Sequence, residues 1–68
     1  MADYDYRGFR ITVLKVRDRW IGDISPPDTS FALPPVEATL KQGEEHALFL
    51  AHGLIDDALA AAVLKTRR

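Results

Sequence analysis

The chain has 68 residues, a net charge of −1, 47% hydrophobic and 28% charged residues, and no cysteine. That length allows one domain with a small core, and the balance of apolar and charged residues is that of a folded chain rather than a disordered one. Near-neutral charge removes any global electrostatic drive toward nucleic acid, and the lack of thiols excludes disulfides and thiolate zinc sites.

Met1–Asp5 is polar and is expected to fray. Met1–Tyr6 is acidic where a signal peptide would be basic and then apolar. No continuous apolar run approaches the roughly 20 residues that span a bilayer. These features, with the absence of cysteine, lead to the expectation of a cytoplasmic protein without a membrane segment.

Phe9–Val16 predicts a strand. It is rich in β-branched and aromatic residues, and Phe9, Ile11 and Val13 alternate with Arg10 and Thr12. Leu14 and Val16 break the alternation, so both faces of this strand are expected to be partly covered. Arg17-Asp18-Arg19 is a charged turn without the Asn-Gly or Asp-Gly pair of the tightest hairpins. Trp20–Ile24 is the return strand, with Trp20, Gly22 and Ile24 on one face and Ile21 and Asp23 on the other.

Ser25–Pro35 is a loop bracketed by Pro26-Pro27 and Pro34-Pro35. A third strand is assigned to Val36–Leu40, which leads directly into the helix, with Phe31-Ala32-Leu33 as the alternative edge segment.

From about Gly43 to Lys65 the pattern is that of one long helix. Glu44 and Glu45 complement its positive end, and Lys65, Arg67 and Arg68 its negative end. Ala47, Ala51, Leu54, Ile55, Ala58, Leu59 and Ala62 recur at steps of three and four and form the face expected to meet the sheet. At about 1.5 Å per residue this helix outruns an eight-residue strand, so its Ala60–Leu64 end is expected to overhang. The predicted fold is α+β, a small antiparallel sheet of two or three strands packed on one long C-terminal helix.

A second, thinner apolar line comprises Phe49, Gly53, Ala60 and Leu64, within about 60° of one another on the helical wheel. A helix covering its own sheet needs only one apolar face. The second line is therefore the candidate protein-interaction surface, for a protein partner or a second copy in a homodimer. The Pro-rich loop folding over it within the monomer is the alternative cover.

Arg7, Arg10, Lys15, Arg17 and Arg19 cluster in the first hairpin near Tyr6, Phe9 and Trp20, the pattern of a candidate nucleic-acid surface diluted by Asp3, Asp5 and Asp18. His52 and Asp56 stand four apart on the helix, where they can meet, but His46 points elsewhere and no third metal ligand is evident. Adjacent Asp56 and Asp57 diverge by about 100° and form no catalytic dyad. Ser25, Thr29 and Ser30 lack a nucleophile elbow, and no glycine-rich phosphate loop or dinucleotide fingerprint occurs. The expectation is a non-enzymatic module with no catalytic residue, metal or cofactor.

The segments Tyr6-Arg7-Gly8-Phe9-Arg10-Ile11, Arg19-Trp20-Ile21, Glu44-Glu45-His46-Ala47 and Leu54-Ile55-Asp56, in this order, resemble a group of short uncharacterised bacterial proteins. That resemblance implies three strands followed by a helix and no known activity. Ile24-Ser25-Pro26-Pro27-Asp28 and Gly43-Glu44-Glu45-His46-Ala47 are similar to the proline-acidic segment and helix start of HicB-type antitoxins. The glycine expected after the Pro-Asp element is missing, and no DNA-binding tail follows Arg68. This second resemblance implies toxin binding or a regulatory role.

Overall fold

The computed structural model describes residues 2–28 and 31–66, with side chains through Val63. The first hairpin begins earlier than the sequence pattern suggests. Ala2–Tyr6 forms strand β1 and pairs antiparallel with β2, Phe9–Val16, from Ala2 opposite Val13 to Tyr6 opposite Phe9. The expectation of a frayed lead-in is thus corrected. Asp3 and Asp5 point to the open side of the sheet, where Thr12 donates a 2.8 Å hydrogen bond to Asp3 and Arg10 lies 3.6 Å from Asp5. Tyr4 and Tyr6 turn their rings inward against the core.

The two residues joining β1 to β2 are Arg7 and Gly8, with φ of 52° and 89°. Positive φ at both positions is the backbone whose twist matches a two-residue hairpin. Glycine adopts it freely, whereas Arg7 does so against its Cβ.

Arg19–Ser25 (β3) returns beside β2 through Arg17-Asp18, and Val36–Thr39 (β4) pairs with β3. The sheet is a four-stranded antiparallel meander in the order β1-β2-β3-β4, where two or three strands were expected. Val36–Thr39, and not Phe31–Leu33, pairs with β3. Phe31 instead sets its ring edge-on to Phe9 at 5.1 Å between centroids, and Leu33 packs beside the core. Thr29 and Ser30 lie outside the described residues.

Helix α1 runs over Gly43–Thr66. Its approach is fixed by Thr39 and Gln42, whose backbone amides each donate to the other's side-chain oxygen, at 2.9 and 3.1 Å. This reciprocal pair has the form of a capping box. Gly43 follows with φ of 83°, a conformation that strains any residue with a Cβ, and the chain then turns into the helix.

The core lies between α1 and one face of the sheet. Phe9, Ile11, Val13, Ile24, Val36 and Ala38 meet Ala47, Ala51 and Ile55 there. Leu54 and Leu59 pack at its margin rather than in its centre. Among the described residues no helix or strand packs on the other face of the sheet, where Leu14 and Ile21, directly opposite each other, are half-buried. Twenty-four helical residues at 1.5 Å each reach about 36 Å, against about 27 Å for the eight-residue β2. Ala60 and Ala61 are correspondingly exposed on the C-terminal turns, as expected for an overhang.

Candidate functional site

The helix has three distinct sides. One packs on the sheet. A second is tied to the first hairpin by polar contacts. The Tyr6 hydroxyl donates to Asp56 Oδ1 and Oδ2 at 3.0 and 3.2 Å, and Arg7 Nη1 donates to Asp56 Oδ1 at 2.8 Å. The Tyr6 ring stacks on His52 with centroids 4.0 Å apart, and Tyr4 donates to Glu44 at 3.1 Å. His52 and Asp56 therefore do share a side of the helix, but their partners are β1 and its turn. No group of three or more metal-ligating side chains is present among the described residues. Asp57 diverges from Asp56 and lies on the β4 side.

The bonds from Arg7 and then Tyr6 hold the Asp56 carboxyl below its ordinary value of 3.8. The same contact pushes the Tyr6 hydroxyl up, mainly because that hydroxyl donates to Asp56. A carboxyl depressed by folding stabilises the fold fully above its ordinary value, and that contribution is lost as pH falls through its own lower value. Asp56→Asn is therefore expected to be less stable than the parent at neutral pH. The gap should narrow as acid protonates Asp56 in the parent. Urea midpoints measured at neutral and strongly acidic pH check this; a gap independent of pH would contradict it.

The five basic residues of the candidate nucleic-acid surface are dispersed. Arg7 is at the β1–β2 turn and paired with Asp56. Arg10 sits near Asp5 on the open sheet face. Arg19 bridges Asp18 at 3.1 Å and Glu37 at 2.9 Å. Arg17 occupies the turn at the opposite end of β2 from Arg7, and Lys15 is exposed one residue inside the strand end. The structure does not join these residues into one patch.

The third side of the helix faces away from the sheet. Phe49 is 69% exposed, and Gly53 and Ala60 are exposed beside it. The side chain of Leu64 lies outside the described residues. A Cβ built on Gly53 would meet nothing within 4 Å, so no contact inside the monomer requires glycine there. Phe49 and Gly53 also border an open groove of about 370 Å³ against β4. Val36, Leu50 and Leu54 supply the rest of its apolar lining, and Glu37 and Asp57 its charges. The described part of the Pro-rich loop packs on Phe9 rather than on Phe49.

Over Gly43–Val63 the helix is long and apolar enough to cross a membrane by length and composition, yet only 17% of that apolar stretch is buried inside the domain. Asp56 and Asp57 interrupt the string of apolar residues, but the alanines and leucines on either side keep its average high. A helix apolar on nearly all sides is normally buried on nearly all sides. Here the sheet covers one.

The sequence pattern located the exposed line from periodicity alone. It missed Tyr4 and Tyr6, because alternation with aspartate disguised β1 as a polar lead. The chain matches no protein-family model, no curated protein and no solved structure, so the likenesses to short bacterial proteins and to HicB-type antitoxins stand on the residues quoted for them.

Proposed function

We propose that this chain is a non-enzymatic interaction module of the cytoplasm that associates with a second copy of itself through the outer face of α1. The observation that carries the reading is the mismatch between the helix and its cover: an apolar helix of 24 residues with Phe49, Gly53 and Ala60 turned to solvent. A small core gains stability by oligomerisation when disulfides and metals are lacking. The absence of cysteine supports a reducing compartment. A protein surface is favoured over a bilayer because Asp56 and Asp57 lie mid-helix, and a carboxylate at a bilayer centre costs about 2.5–3.5 kcal/mol even on insertion scales.

Sedimentation across a dilution series tests the reading. The parent should show a concentration-dependent dimer. Phe49→Glu, and independently Gly53→Leu, should be monomeric at the same concentrations with unchanged circular dichroism. A parent that stays monomeric overturns the proposal, as do variants that associate as the parent does. A monomer that cosediments with phosphatidylcholine vesicles would replace the second copy with a membrane surface.

A further inference from the structure

We infer that the free edge of β4 takes up an extended basic segment of another protein as a fifth strand, with the segment's apolar side chains in the groove between β4 and α1. The inference goes beyond the self-association proposed above and concerns a different side of the domain. Three observations lead to it.

The first is an asymmetry between the two edges of the sheet. β1 and β4 are the outer strands, and among the described residues the far side of each is paired with nothing. The helix closes onto the β1 side through the Tyr4–Glu44, Tyr6–Asp56 and Arg7–Asp56 bonds and the Tyr6–His52 stack. Among the described residues no side-chain hydrogen bond or ion pair joins β4 to α1, and an open groove of about 370 Å³ remains between them. An edge strand presents a row of unpaired backbone donors and acceptors, and an added strand takes its affinity from them.

The second is alternation. Val36 and Ala38 are buried toward the helix, and Glu37 and Thr39 are exposed on the other face. Residues directly opposite each other on neighbouring strands share a face. The residues of a fifth strand opposite Val36 and Ala38 therefore turn toward α1, where Val36, Leu50 and Leu54 offer apolar surface. Gly53 has open space where a side chain would stand, which keeps the helix wall of this groove low.

The third is charge. The two charged residues of the groove, Glu37 and Asp57, are both acidic. Glu37 shares Arg19 with Asp18, so one guanidinium serves two carboxylates. Asp57 has no ion-pair partner among the described residues. Lys41 stands past Thr39, at the other end of β4 from Val36, and does not line the groove. A lysine or arginine opposite Glu37 sets opposite charges side by side on one face. A second copy of this chain does not supply it. Pairing β4 with β4 runs Glu37 and Asp57 of both copies along one seam, and pairing β4 with β1 brings Asp3 and Asp5 to the Glu37 face. Complementary charge thus assigns the groove to a basic partner.

The probe is an acetylated, amidated peptide of alternating lysine and valine, titrated into isotopically labelled protein and followed by NMR. Saturable binding is expected, with amide shifts at residues 36–39, Leu50, Gly53 and Leu54 and none in β1. Cross-strand proton contacts between β4 and the peptide should accompany it. Raising the salt from about 0.1 to about 1 M shortens the screening length from about 10 to about 3 Å and should weaken the binding. Glu37→Gln and Asp57→Asn, both at exposed positions, should each weaken it about two- to fivefold, the range of an exposed ion pair. Circular dichroism verifies that both variants fold.

A peptide of the same composition with its lysines and valines in separate blocks should bind far more weakly. Equal binding would overturn the fifth strand, as would binding without cross-strand contacts to β4. An alternating peptide that does not bind overturns the inference outright. Cross-strand contacts between the β4 strands of two copies would give the edge to a second copy and overturn it too. The solution mass keeps the two readings apart: Glu37→Gln should sediment as the parent does, and a monomeric parent that binds the peptide would remove the self-association alone.

Discussion

Ile55→Ala is expected to lower the free energy of unfolding by about 2–5 kcal/mol, the range for deleting a large aliphatic side chain from a core. A chain of this length has a total stability of roughly 3–10 kcal/mol, so the loss removes a large part of it. The reason lies in how little the helix gives to the core. Among its described side chains the buried ones are Ala47, Ala51 and Ile55, and of these Ile55 alone is large. Around it Leu48, Leu50, Leu54 and Leu59 are only partly buried and cannot close the void without leaving their own contacts. Urea unfolding checks the expectation: the midpoint should fall sharply with little change in slope. A midpoint within experimental scatter of the parent would show that the helix is held mainly by something other than this face.

The second large effect concerns Gly22. A Cβ at this position would lie 2.7 Å from Val36 Cγ2 and 4.0 Å from the carbonyl oxygen of Ala47. Gly22 therefore marks a close approach of β3 to Val36 and to the backbone of α1 at Ala47. Gly22→Ala is expected to cost about 1–3 kcal/mol through overpacking, because the β-branched Val36 has few rotamers to retreat into. Val36→Ala removes the obstructing methyl and leaves a void instead. The double variant should thus lose clearly less stability than the two single losses added together, since each substitution relieves the other. Chemical denaturation of the four proteins measures this coupling. Additive losses would mean that the methyl of Val36 is not what excludes a side chain at residue 22.

The two core effects and the association effects are separable because they act on opposite sides of one helix. Ile55 lies against the sheet, and Phe49 and Gly53 lie away from it. Substitutions at Ile55 or Gly22 should change the unfolding midpoint of the monomer. Substitutions at Phe49 or Gly53 should change the solution mass and leave the monomer's fold intact. The Tyr6–Asp56–Arg7 tie occupies the side between these two, where it fixes β1 to the helix.

Local pattern by itself determined β2, β3, β4 and the helix. Phe9–Val13 alternates with period two, Trp20–Ile24 repeats the same alternation, and the Ala47–Ala51–Ile55 spacing follows the helical repeat. Periodicity is a property of neighbouring residues, so it is legible without tertiary information. The same holds for the Phe49–Gly53–Ala60 line, which periodicity sets on one side of the helix wherever the helix docks.

Only the tertiary structure decided what those patterns meet. β1 became a strand because Tyr4 and Tyr6 reach carboxylates 40 and 50 residues away in sequence, Glu44 and Asp56. No local signal encodes contacts of that separation, and Arg7 in a positive-φ turn lacks the Asn-Gly signature that would have announced the hairpin. The basic residues of the hairpin were likewise adjacent in sequence and separated in space, because β2 carries them to its two ends and its two faces. Of the two apolar lines on the helix, the one read from the sequence as sheet-facing is the one covered, through Ala47, Ala51 and Ile55, and Phe49 is left in solvent. The tertiary structure added what that line meets: Phe9, Ile11, Val13, Ile24, Val36 and Ala38 on one face of the sheet.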